Sequence, residues 1–183
     1  MGRWGGASIL RWRGERFNGI TWPGHVTRVT MPGVSLRLAA YAICLLSRRV
    51  LVARGVHHWT LPGGRVEQSE DPIDTVLREL TEETGYVGVV ESLLGVDSRV
   101  IPAAEATGGA EHQNVGVFYE VRVTGGTPRP EPNGETLESL WAALPHVATL
   151  RRSSLVDVGL ALARTRPPTG HVPPVPVGGL IQH

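Results

Sequence analysis

An α/β domain is predicted from three observations. Apolar runs of strand length recur along the chain, an amphipathic helix with its own start and stop signals lies between them, and a second amphipathic segment closes the series. A chain of 183 residues, 41% hydrophobic and 19% charged, suits one such domain with a single core.

The elements follow in order. Val34 to Leu46 and Val50 to Ala53 are apolar runs separated by Ser47-Arg48-Arg49, which predicts a hairpin. Trp59 to Leu61 reads as a short strand feeding Pro62-Gly63-Gly64, where paired glycines permit a tight turn and close backbone approach to a ligand. A helix starts at Pro72 with Asp71 as N-cap and ends at Gly85 in the left-handed conformation. Strand follows within Val87 to Ile101 and again over Asn114 to Val123, where Thr124-Gly125-Gly126 is expected to break it. Leu140 to Ala143 reads as a last strand. Ser153 to Arg164 closes the domain as a helix, with Leu155, Val158, Gly159 and Leu162 at helical spacing. No internal repeat is visible.

The first helix carries the chemistry. At about 100° per residue, Ile73, Val76, Leu77 and Leu80 form the stripe expected to be buried, and Glu79, Glu82 and Glu83 occupy a separate arc beside it. Three carboxylates on one face repel each other unless something positive lies against them. A hard divalent cation, Mg²⁺ or Mn²⁺, is the natural partner; it takes oxygen ligands and brings substrate phosphates. A solvated acidic face is the plain alternative for a helix of this composition.

The whole segment from Gly64 to Tyr86, GRVEQSEDPIDTVLRELTEETGY, resembles the Nudix box, G-x(5)-E-x(7)-R-E-U-x-E-E-x-G-U, where U is a bulky apolar residue. Gly64, Glu70, Arg78, Glu79, Leu80, Glu82, Glu83 and Gly85 fall on it. Tyr86 stands at the last U, and Ser69 stands where many relatives have glycine. The resemblance covers about Val34 to Arg164. It implies an α/β/α sandwich with a mixed β-sheet and a metal-dependent pyrophosphohydrolase, with ADP-ribose or a nucleotide sugar as the favoured nucleoside diphosphate derivative. A nucleotide-sensing module without turnover and a hydrolase of oxidised nucleoside triphosphates are the other readings. It also implies that Glu79 and Glu83 are the principal metal ligands, with Glu82 an additional one. Arg78 would orient a box carboxylate, and Glu70 would support the site from outside. Pro102 lies near where relatives acting on ADP-ribose carry a proline, but 14 prolines in the chain leave that position little weight.

The remaining candidates lie outside the box. Gly63 and Gly64 are expected at the substrate, and Arg54 is a candidate for a substrate phosphate, with a solvated arginine the plainer alternative. Glu135 is the favoured general base, with Glu131 next; both lie in the turn-rich RPEPNGETLES, and a solvated loop acid is the alternative. Glu111 and His112 are candidates for the pocket wall, whereas His57 and His58 read as hairpin residues because no spaced third metal ligand accompanies them.

Charge and composition bear on the other classes, among them an RNA-end hydrolase or RNA-binding protein. A net charge of +1 gives no bulk attraction to nucleic acid or membrane, and Arg11, Arg13, Arg16, Arg48 and Arg49 are too scattered to predict one basic surface. No apolar run reaches the ~20 residues that span a bilayer, and the start of the chain lacks a secretory pattern, so cytoplasmic location is the default. Cys44 lies in an apolar run and is expected to be buried. Residues 1–30 read as an N-terminal extension, 31–164 as the hydrolase domain and 165–183 as a Pro/Gly-rich tail, whose valines and Leu180 and Ile181 are apolar enough to pack on the domain. A small molecule is the expected partner, and a homodimer is left open.

Overall fold

The structure is a computed structural model and describes residues 35–104, 110–132, 134 and 136–175. The expected extension, Glu135, and Val177, Leu180 and Ile181 of the tail lie outside these residues.

The chain runs β1 (Ser35–Ile43), β2 (Leu45–Leu46), β3 (Arg49–Arg54), β4 (Trp59–Thr60), β5 (Gly63–Arg65), α1 (Pro72–Thr84), β6 (Tyr86–Ile101), β7 (His112–Gly126), β8 (Glu138–Ala143), α2 (Leu144–Val147) and α3 (Ser154–Thr165). One sheet has the order β5-β1-β7-β6, with β1 and β7 parallel and the other pairs antiparallel. In the other, β3 pairs with β2 and β4 and also with β8. From Ala39 to Ile43 the central strand β1 is buried on both faces, which is why that stretch reads as an unbroken apolar run. Ala39, Tyr41 and Ile43 point into a core shared with Leu155, Val156, Val158 and Leu162 of α3. Ala40 and Ala42, with Cys44 just beyond the strand, point into a core shared with Val76 and Leu80 of α1. Helix, mixed sheet and helix thus form the expected sandwich.

Local rules account for α1. The Asp71 carboxylate accepts from the Ile73 N–H at 2.9 Å, Pro72 occupies the first turn, and Gly85 closes the helix at φ 76° with its N–H on the Thr81 carbonyl. One expectation fails here. Ile73 is 44% exposed, and the first turn is anchored instead by buried Thr75, whose hydroxyl donates to Glu70 at 2.7 Å.

Three further differences have tertiary causes. The run from Val34 to Leu46 is two strands, because the chain leaves one sheet after Ile43 and joins the other at Leu45. Thr124-Gly125-Gly126 does not end β7, since Gly125 and Gly126 pair with Val87 and Tyr86. The glycine turn enters the sheet as β5, with Gly64 opposite Ala40. The tail up to Val172 belongs to the core: Val172 is buried, and the Gly170 carbonyl accepts from the Val96 N–H. Cys44 is buried, and burial pushes its thiol up to about 12.

Ser69 takes φ 69°, the left-handed conformation that glycine adopts without steric penalty. Ser69→Gly is therefore expected to raise stability by about 0.5–1 kcal/mol, read as a higher midpoint in chemical denaturation with an unchanged slope.

Candidate active site

Helix α1 presents the three glutamates in graded depth. Glu83 is the most buried of the three, Glu79 is largely covered with 16% of its side chain exposed, and Glu82 is 49% exposed. The Gly63 N–H donates to Glu83 Oε2 at 2.9 Å, and the Thr136 hydroxyl donates to Oε1 at 3.2 Å. Two bonds from opposite sides of the chain thus fix one carboxylate.

The glycines make that approach feasible. At Gly63, φ is 147° and a Cβ would lie 2.2 Å from the Ala40 carbonyl oxygen, so no other residue fits without moving β1. At Gly64 a Cβ would lie 2.4 Å from Glu79 Oε1. The space beside Glu79 exists because residue 64 has no side chain. Gly64→Ala is expected to leave the fold intact, since the obstructed atom is the end of a flexible side chain, but to displace the Glu79 carboxylate and lower kcat by about tenfold or more; steady-state kinetics with a parallel melting curve checks both.

Arg78 organises the acidic face. Its guanidinium donates through Nε to Glu70 Oε1 at 2.8 Å, through Nη2 to Glu70 Oε2 at 3.0 Å, and through Nη1 to both Glu79 and Glu82 at 2.9 Å. The forked contact with Glu70 is the geometry that distinguishes arginine from lysine. These bonds, with those from Thr75 and the Glu67 N–H, hold the Glu70 carboxyl down at about 2. Glu83 behaves in the opposite way. Burial, together with the charges of Glu79 and Glu131, pushes it up to about 8 against the pull of Gly63 and Thr136. Burial also raises Glu79, and Glu82 and Glu131 add to the rise.

These shifts test the donor set. Every candidate ligand is a carboxylate oxygen, the preference of a hard cation, and burial first, then neighbouring carboxylates, disfavours the charge on Glu79 and Glu83 when no cation is bound. Glu79 Oε2 has no hydrogen bond among the described residues, whereas Oε1 is taken by Arg78. No three ligating side chains among the described residues already converge on one point. Arg78 draws Glu79 and Glu82 one way while Gly63 and Thr136 draw Glu83 another. The chemistry fits a divalent ion, and Glu79 and Glu83 would have to turn toward each other to hold it.

A cleft of about 450 Å³ opens beside Glu83 and Gly63. Tyr41 and Asn114 line its floor, with Arg37, Thr136, Leu155 and the β3–β4 turn at Gly55 to His58 around it. His57 and His58 are hairpin residues, as expected, and also line the cleft; His112 does so too, whereas Glu111 does not. Burial, His57 and Arg151 lower the His58 imidazole. Arg54 is placed elsewhere: its guanidinium pairs with Glu138 and lies 5.9 Å from the Trp59 ring centroid, and it is not among the residues lining the cleft. Glu131 accepts from the Thr136 N–H at 3.1 Å, next to the carboxylates. Sequence reasoning missed Arg37, Tyr41, Asn114 and Thr136; the available signal was Arg37, a charge inside an apolar strand.

The comparisons identify the family and the fold. The profile of the NUDIX domain matches residues 35–156. Bis(5'-nucleosyl)-tetraphosphatase [asymmetrical] of Mus musculus is 55% identical over 31 residues, 17% of this chain and 21% of that protein. RNA pyrophosphohydrolase of Azorhizobium caulinodans is 34% identical over 74 residues, 38% of this chain and 44% of that protein. The matched stretches span less than half of these relatives. A NUDIX hydrolase from Nitrosomonas europaea shares the fold, with TM-score 0.61 and 17% identity over 71% of this chain and 89% of that one. Strand order, box helix and profile together place the chain in the NUDIX domain family.

Proposed function

We propose that this chain hydrolyses a pyrophosphate bond in a nucleoside diphosphate derivative, with ADP-ribose or a nucleotide sugar favoured, and that it needs Mg²⁺ or Mn²⁺ to do so. The observation that carries this reading is the carboxylate set of α1, with Glu83 lining a cleft of ligand size and Glu79 one helical turn before it.

Glu79 and Glu83 would hold the ion, with Glu82 adding a more exposed carboxylate. When bound, the ion would neutralise phosphate charge and make a bound water more acidic. The protein supplies the positioning. Gly63 and Thr136 hold Glu83, Arg78 keeps Glu79 and Glu82 oriented, and Glu70 holds Arg78. Water oxygen adds to phosphorus, the bridging oxygen leaves with the other phosphate, and the proton goes to a carboxylate. Glu131 is the described acid nearest this role, and Glu135 remains the proposed base from the sequence.

The test is Mg²⁺-dependent product release from a panel of ADP-ribose, nucleotide sugars, dinucleoside polyphosphates, oxidised nucleoside triphosphates and 5'-triphosphorylated RNA. The last substrates enter because relatives bear those names. Turnover by wild type and none by Glu83→Gln supports the reading. Nucleotide binding without turnover would make the chain a sensing module instead.

A further inference from the structure

Among the described residues, two buried polar atoms of the cleft lining have no hydrogen-bond partner. Arg37 in β1 and Asn114 in β7 stand directly opposite each other in the parallel register, and both line the cleft that reaches Glu83. Among the described residues neither Arg37 Nε nor Asn114 Oδ1 has a hydrogen-bond partner, although both atoms are buried and Asn114 is only 4% exposed. A buried donor or acceptor left unpaired destabilises a fold, and such groups in native proteins call for an explanation. The two residues are register neighbours, one offering a donor and the other an acceptor.

We propose that Arg37 and Asn114 recognise the nucleobase of the substrate, with Arg37 Nε donating to a ring or carbonyl acceptor and Asn114 Oδ1 accepting from the neighbouring N–H. This rests on the hydrolase reading above and adds a recognition role to it. A phosphate, which offers acceptors only, would satisfy Arg37 Nε and leave Asn114 Oδ1 unpaired, whereas a base edge satisfies both. The surroundings suit a flat, largely apolar group. Tyr41, whose ring centroid is 5.3 Å from that of Phe118, forms the floor, and Val56, Ile101 and Leu155 supply apolar walls. The Tyr41 side chain hydrogen-bonds Asn114. A base on the Arg37–Asn114 pair would leave its phosphates in the cleft that Glu83 also lines.

The test replaces each residue by an apolar one of similar size, Asn114→Leu and Arg37→Met, in the full chain. For the best nucleotide of the panel, KM is expected to rise about ten- to a hundredfold with kcat held within about threefold. Affinity for 5-phosphoribosyl 1-diphosphate, which carries ribose and pyrophosphate but no base, is expected to stay unchanged, whether it acts as substrate or competitor. The melting temperature of Arg37→Met should not fall, whereas Asn114→Leu gives up a side-chain hydrogen bond with Tyr41 and a modest fall is expected there. An equal loss toward the base-free compound, or a lower melting temperature with unchanged KM, overturns the proposal. If wild type turns over nothing in the panel, the hydrolase reading fails by itself. Equilibrium binding of the same nucleotides then decides recognition: binding weakened by both substitutions supports it, and absent or unweakened binding overturns it.

Discussion

Glu83→Gln is expected to lower kcat by about a hundred- to ten-thousandfold, the range for losing a group that acts on the reacting centre. Glutamine is the informative replacement because its amide oxygen can still accept from the Gly63 N–H or the Thr136 hydroxyl, so the helix and loop keep a tie. What disappears is the charge. In the metal-free protein that charge is unfavourable, as the rise of Glu83 to about 8 shows, so the variant should melt at or above the wild-type temperature at pH 8. A dead enzyme with a sound fold identifies a functional carboxylate, and a loss of fold would identify a structural one. Glu82→Gln should lose about tenfold or less, because its side chain is 49% exposed and Arg78 already neutralises it in part. Single-turnover kinetics beside calorimetry for both variants separates these outcomes.

The graded behaviour of the three glutamates was largely legible in the sequence. On the helical wheel Glu83 lies only about 20° from Val76, Glu79 about 60° and Glu82 about 120°, and their burial follows that order. Caps and turns were legible for the same reason: Asp71, Pro72 and Gly85 act on backbone groups a few residues away. Groups that meet through tertiary pairing were not. Thr136 reaches Glu83 across 53 residues of sequence, and Asn114 meets Arg37 only through the register of β1 on β7. Arg54 shows the converse, because a position after an apolar strand gave no sign that Glu138 on β8 would pair with it. Strand ends were misread where a partner decides them, as at Gly125 and Gly126 against Val87 and Tyr86.

The Glu83 carboxyl also makes metal affinity steeply dependent on pH. With the group raised to about 8, it is protonated through the neutral range in the metal-free protein, and an ion must displace that proton to bind. Apparent Mg²⁺ affinity should therefore rise about tenfold per pH unit between pH 6 and pH 8 and level off above. Glu83→Gln should bind more weakly at pH 8 and show a flatter slope. Stability follows the matching sign. A carboxyl raised from 4.5 to about 8 contributes stability that is full below pH 4.5 and is lost as pH climbs through 8, whereas Glu70, held at about 2, contributes stability that is full above pH 4.5 and is lost as pH falls through 2. The metal-free protein should then be most stable near pH 4.5 to 5 as far as these two groups decide it, and its melting temperature should decline toward pH 8. Saturating Mg²⁺ should remove the alkaline decline and leave the acid limb unchanged. Calorimetric titration of Mg²⁺ in two buffers of different ionisation enthalpy counts the protons released. About one proton per ion at pH 7, falling to none in Glu83→Gln, is the expected count; equal release from both proteins would assign the proton to another group and remove Glu83 from the ion's ligands.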